Sequence, residues 1–209
     1  MVGFCRRSMP GSPPVDIDEF WHLIEHSARH RPNEARLRWL EQQLVRRSAE
    51  EIIDFQSWIL EARRKVDTHL MWGAAIVLYL VGGSDSFWYF QMWLVGLGRE
   101  TFERVAADPD TLADVPEVQR FLTMQRDRIT RTDDDWPELE FLSYVAPKAW
   151  EKVTGTESAA LFDALEARGH VLYGMPHPTD EDWDPGDDEQ AARRVPRSYR
   201  FIREFYGRA

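Results

Sequence analysis

The run LMWGAAIVLYLV at positions 70–81 carries no charged side chain. A helix that is apolar on every face has to be enclosed by other elements, because no side of it is suited to water. It is shorter than the roughly 20 apolar residues needed to cross a bilayer. The chain is therefore constrained to a fold that wraps this segment. Gly82 and Gly83 follow it, and glycine reaches the left-handed C-cap conformation without a Cβ penalty, so the helix is predicted to end there. Ser84, Asp85 and Ser86 then offer side-chain oxygens to cap a second helix. Over 87–97, Phe87, Phe90, Leu94 and Leu97 share one face, with Met92 and Trp93 on its flanks. Gly96 and Gly98 weaken the end of that helix, and Arg99 with Glu100 opens a new direction of chain. The expected centre is a pair of buried helices meeting at a double-glycine corner.

The flanking sequence supplies helices to surround that pair. Asp16 with Glu19 has the form of a capping box for a helix over 17–30, whose inner face is Phe20, Leu23, Ile24 and Ser27. Pro32 opens a second helix to about residue 47, with Leu37, Leu40 and Leu44 inward. Ser48 and Glu51 form a clear capping box for a third helix carrying Ile52, Phe55, Ile59, Ala62 and Val66 on one stripe. That helix is expected to run on through Asp67, Thr68 and His69 into the apolar segment. Pro109 breaks the chain after Val105, a loop is expected over 111–116, and a further amphipathic helix over 117–128. Residues 130–137, TRTDDDWP, read as an acidic linker. Helices follow over 138–152 and, capped by Thr156 and ended by Gly169, to residue 168. Val171, Leu172 and Tyr173 suggest a short extended piece, 174–186 a Pro-rich acidic loop, and 199–206 a tail helix.

Charge limits the partners. The formal net charge is −10 with a pI near 5.1, and affinity for phosphate backbones comes mostly from clustered Lys and Arg, so a nucleic-acid or anionic-membrane surface is not expected. With 209 residues and 43% hydrophobic content, the chain has material for a substantial core in one domain. The lone Cys5 excludes a disulfide framework and a cysteine-rich zinc site and suits a reducing cytoplasm. The first 15 residues, rich in Pro, Gly and Ser, read as a loosely attached arm and lack the apolar stretch of a secretory signal.

No GxGxxG, GxxxxGK[ST], GxSxG or HExxH pattern occurs, so enzyme classes with a local signature lose their support. The chemistry that remains gathers at the corner. Arg99 beside helix N–H groups has the make-up of an anion site, although capping by Asp85 and ion pairing by Arg99 account for the same residues. His69, entering the apolar element next to Trp72, has the properties of an acid or base. His22, His26 and His30 recur at i, i+4 and i+8, the spacing that aligns imidazoles for a metal, but the sequence shows no third ligand from another segment. Asp133, Asp134 and Asp135 are consecutive, so their side chains do not converge on one ion.

Trp72, Gly73, Ala74 and Ala75, then Gly82 to Asp85, Phe87, Tyr89, Phe90, Trp93, Leu94 and Gly98 to Glu100 together resemble a bacterial family known only as a domain of unknown function, DUF4240. Phe20, Trp21, Leu23, Ile24 and Ala107 to Asp110 fit the same pattern. The resemblance covers roughly residues 16–125 and fades after Trp136. It implies a shared fold and brings with it no activity, cofactor or catalytic residue.

The expected fold is all-α: a single-domain helical bundle with an irregular acidic C-terminal extension. It comprises an N-terminal arm (1–15), a helical core (16–129) and C-terminal helices with an acidic loop (130–209). The expected function is a cytoplasmic binding or accessory module for a small molecule or peptide, using an aromatic pocket beside the corner lined by Trp72, Asp85, Tyr89, Trp93 and Arg99, since aromatic anchors dominate recognition energetics. One alternative is an enzyme using His69, Asp85, Tyr89, Arg99 and Glu100. Another is a metal protein using His22 and His26.

Overall fold

The computed structural model describes residues 15–207. The expected arm, with Cys5, lies outside the described residues except for Val15, which is buried and accepts the indole N–H of Trp58 on its carbonyl at 2.8 Å. Among the described residues the protein is all-α, with no strand, in one domain. Eleven α-helices follow one another: α1 Ile17–Ser27, α2 Asn33–Leu44, α3 Ala49–Val66, α4 His69–Val77, α5 Ser84–Gly96, α6 Arg99–Ala107, α7 Pro116–Arg126, α8 Val145–Thr154, α9 Ala159–Ala167, α10 Asp188–Arg194 and α11 Pro196–Phe205.

The helix starts follow local chemistry. Asp16 Oδ1 accepts the N–H groups of Asp18 at 3.0 Å and Glu19 at 2.9 Å, satisfying donors that a helix leaves orphaned. Glu19 does not close a box with it; its carboxylate pairs instead with Arg47. The Ser48 box is complete, with Glu51 N–H on Ser48 Oγ at 3.3 Å and Ser48 N–H on Glu51 Oε2 at 2.9 Å. From it runs α3, the longest helix, packed against α1, α5, α8 and α9. Its predicted stripe of Ile52, Phe55, Ile59, Ala62 and Val66 is buried. Each of the larger side chains contributes about 1.5–3 kcal/mol by leaving water.

The centre differs from the expectation in three ways. First, α3 does not continue into the apolar run: the chain breaks at Asp67, and Thr68 Oγ1 caps α4 through the N–H of Met71 at 3.0 Å. Second, α4 stops before the glycines. Leu80 N–H returns to Ala75 O and Tyr79 N–H to Ile76 O, both at 2.9 Å, around Tyr79 at φ 55°, the paired closure in which a left-handed residue ends a helix. A non-glycine residue there costs about 1–2 kcal/mol. The turn in return carries Leu80 and Val81 into the core at 5% and 9% exposure, a gain of larger size. Third, Gly83 is extended at φ −171° and precedes α5, while Ser86 Oγ accepts the N–H groups of Gly82 and Gly83 at 3.0 Å each. Asp85 is exposed in the first turn and is not the cap.

Later segments are more ordered than predicted. Residues 111–116 are not a loop: Pro109–Asp114 is a 3₁₀ turn with Thr111, Leu112 and Ala113 buried. The helix expected over 138–152 is split into a 3₁₀ turn, Glu140–Tyr144, and α8. Ser158, not Thr156, precedes α9; Gly169 ends that helix at φ 88°, as expected. Val171, Leu172 and Tyr173 join no sheet, and α10 was unforeseen.

The loop before α10 is fastened to α4. Asp180 accepts the N–H groups of His69 at 2.6 Å and Leu70 at 3.2 Å. The Trp183 indole N–H donates to His69 O at 3.1 Å. A Cβ on Gly73 would lie 2.1 Å from the Trp183 ring, so glycine is what lets the indole lie flat on α4.

Candidate functional site

One face of α2 carries Asn33, Glu34, Leu37, Arg38 and Glu41, whose spacing repeats with the helical turn. Opposite it runs the segment 132–148, and between them lies a cleft of about 1160 Å³. Two attachments hold the second wall. Asp134 Oδ1 accepts the N–H of Asn33 at 2.9 Å, capping α2 where Pro32 brings no side-chain acceptor. Leu139 N–H donates to Tyr89 O at 3.1 Å, tying the segment to α5. Asp135 accepts the N–H and hydroxyl of Thr132 at 2.9 Å, bonds that hold its carboxyl below the usual carboxylate range. The Asp133–Asp135 turn, read as linker from sequence, is therefore part of the framework.

Also on α2, Arg36 joins two helix ends. Its guanidinium donates to Gly96 O at 2.7 Å, Ile24 O at 3.4 Å and Ser27 Oγ at 3.0 Å. A cation at the carbonyl ends of α1 and α5 is favoured by their dipoles. Burial, and secondarily Arg31, pushes its pKa down to about 10, so it stays charged near neutral pH.

The cleft has an apolar base and an acidic rim. Leu139 and Val145 are buried along it, Leu37 is half-buried, and Trp136 and Phe141 are 41% and 60% exposed. Glu34, Glu41, Asp133, Asp134, Glu138 and Glu140 line it against two basic residues, Arg38 and Lys148. Glu34 pairs with Arg38 and Glu41 with Lys152. Burial raises the Glu138 pKa, and the Glu140 charge adds to the effect, since low dielectric and a like charge both disfavour ionisation. Such a rim attracts cations, and its exposed rings offer their faces to them.

The binding, catalytic and metal candidates expected from sequence do not line this cleft. His69 faces Asp182, Nδ1 to Oδ1 at 3.0 Å, in the loop before α10. Arg99 pairs with Asp18 at 2.6 Å and Glu103 at 2.8 Å, and its N–H meets Glu25 at 3.1 Å, so it fixes α6 to α1. Glu100 is exposed on α6. The Trp72 ring stacks on Phe87 at 4.9 Å, its buried Nε1 without a hydrogen-bond partner among the described residues, and Trp93 stacks on Phe90 at 5.6 Å. Tyr89 touches the site through the Leu139 bond, and its hydroxyl pKa is raised by burial and then by Glu140. The histidine stripe is half covered: His26 and His30 lie on Trp39 with ring centres 4.9 and 5.1 Å away. Among the described residues no three His, Cys, Asp or Glu side chains are grouped to hold a metal.

Fold and cleft together define a small all-α protein with an acidic, aromatic-edged groove and, among the described residues, no helix long and apolar enough to cross a membrane. The chain belongs to the family described as "Protein of unknown function (DUF4240)", whose model matches residues 15–152. No curated protein and no solved structure matches it. The match reaches past the span legible by resemblance and takes in every residue of the cleft, from Pro32 to Lys148. The missed signal was the run DDDWPELEF, which alternates carboxylates with large apolar residues.

Proposed function

We propose that the protein is a cytoplasmic, non-catalytic binding module that takes a basic peptide segment with at least one apolar side chain in the groove between α2 and residues 132–148. The observation that carries the reading is the excess of carboxylates over basic groups around an apolar base. Complementary charge steers an incoming cation and suppresses acidic competitors. Leu37, Leu139, Trp136 and Phe141 supply contact area for the apolar side chain. The volume suits a short segment more than a single ion. Binding is favoured over catalysis because His69 and Arg99 are engaged with their own carboxylate partners, in different parts of the molecule.

Fluorescence anisotropy with labelled Arg- and Lys-rich peptides containing one Leu or Trp tests this reading. The full-length protein is expected to bind saturably and more weakly as salt rises, and the E138Q/E140Q double variant to bind about tenfold more weakly, about 1.4 kcal/mol. An acidic peptide of the same length should not bind. Equal affinity in the double variant, or no saturable binding of basic peptides, rejects the reading.

A further inference from the structure

A second polar site lies in the seam between α3 and α5, which shares no residue with the cleft. Arg63 is only 6% exposed, and its guanidinium carbon sits 3.5 Å over the centre of the Trp88 ring. Among the described residues it makes no ion pair and its buried Nε has no hydrogen-bond acceptor. Burial pushes its pKa down to about 10 although Asp67 opposes the fall. Asp67, at the C-terminal end of α3, favours the charge through space but is engaged elsewhere: it accepts Gln91 Nε2 at 2.9 Å and His177 N–H at 2.9 Å.

Two neutral groups share the seam. Gln56 lies seven residues before Arg63, two turns back on α3, and is 4% exposed; Gln91 on α5 is fully buried. Their Oε1 atoms accept no hydrogen bond among the described residues. The donation to Asp67 fixes the Gln91 amide so that its oxygen is the free atom. Interiors rarely tolerate one such group, and an unpartnered N–H on a buried cation is the costliest kind. These groups lie on two helices that pack on one another, α3 and α5, and Asp67, the partner of Gln91, is one turn from Arg63 on α3.

The geometry points to a binding site for a small oxyanion in this seam, a carboxylate or phosphate group whose oxygens accept in-plane N–H bonds from the edge of the Arg63 guanidinium while Trp88 covers one of its faces. Guanidinium matches both anions through paired N–H donors. A hydroxyl or amine hydrogen on the ligand would serve Gln91, which Asp67 holds one turn from Arg63, so hydrogen phosphate or a hydroxy or amino acid fits better than a bare halide.

The test is an NMR titration of the full-length protein, following arginine Nε–H resonances as sodium phosphate or, separately, sodium acetate is added at constant ionic strength against sodium chloride. The Arg63 resonance, assigned by its contact with the Trp88 indole, is expected to shift saturably in the millimolar range with at least one oxyanion and not with chloride, and the unfolding midpoint to rise in parallel. The phosphate and acetate arms distinguish a tetrahedral from a planar ligand. R63K keeps the charge but loses the planar fork and is expected to lose the midpoint increase. An Arg63 resonance unmoved by both anions, saturable shifts confined to other arginines, or a full midpoint increase in R63K overturns the site.

Discussion

Gly73 shows how much one hydrogen atom decides. A methyl group there would meet the Trp183 ring at 2.1 Å, and an indole hemmed in by α4 and Arg194, 5.9 Å from its centre, has little room to give. Gly73→Ala is expected to cost at least about 1–3 kcal/mol, the usual range for overpacking, read as a lower urea midpoint with a red-shifted Trp183 emission. Glu51 gives a pH-dependent counterpart. Burial alone would raise its pKa, but the Ser48 backbone and hydroxyl bonds, and then Arg47, outweigh it and bring the value below the usual one. A carboxylate depressed in the folded state contributes stability above its unfolded pKa and loses it as pH falls through the folded one. Glu51→Gln should therefore cost about 1 kcal/mol at neutral pH, as loss of a cap does, and flatten the acid limb below about pH 4.5. Urea midpoints of both proteins at several pH values check this.

At the scale of elements, local patterns were legible and distant partners were not. The stripe on α3 and its Ser48–Glu51 box could be read because every participant lies within a few residues. The end of α4 is not set by the glycines: burial of Leu80 and Val81 draws the turn forward onto Tyr79. Three helix starts depend on carboxylates from far along the chain, which no local pattern announces: Asp134 on α2, Asp180 on α4 and Asp110 on α11. Asp110 accepts the N–H groups of Arg197 at 2.8 Å and Ser198 at 2.7 Å, which fastens the last helix to the Pro109–Asp114 turn. Asp110→Ala is expected to destabilise by about 1–2 kcal/mol and to speed amide exchange in α11 more than in α3. Uniform acceleration across both helices would place Asp110 in the global core instead.

At the scale of the molecule, the all-α class and the burial of Met71, Ala74, Ala75, Phe87, Phe90 and Leu94 followed from hydrophobic patterning, although the run 70–81 is not enclosed on every side, Tyr79 being 48% exposed; the groove did not follow. Its two walls are about a hundred residues apart in sequence, as the Asn33 to Asp134 bond shows, so no window of sequence displays their shared charge. The aromatic residues are densest at the corner, but Trp72 and Trp93 spend their faces on Phe87 and Phe90. Trp136 and Phe141 keep theirs exposed. The most direct measurement is amide and indole chemical-shift mapping of the wild-type protein with an Arg- and Lys-rich peptide carrying one Leu. The account predicts saturable shifts at the Trp136 indole and along 33–41 and 132–148; shifts centred on Trp72, Tyr89 and Trp93 at the double-glycine corner, or none at all, would contradict it.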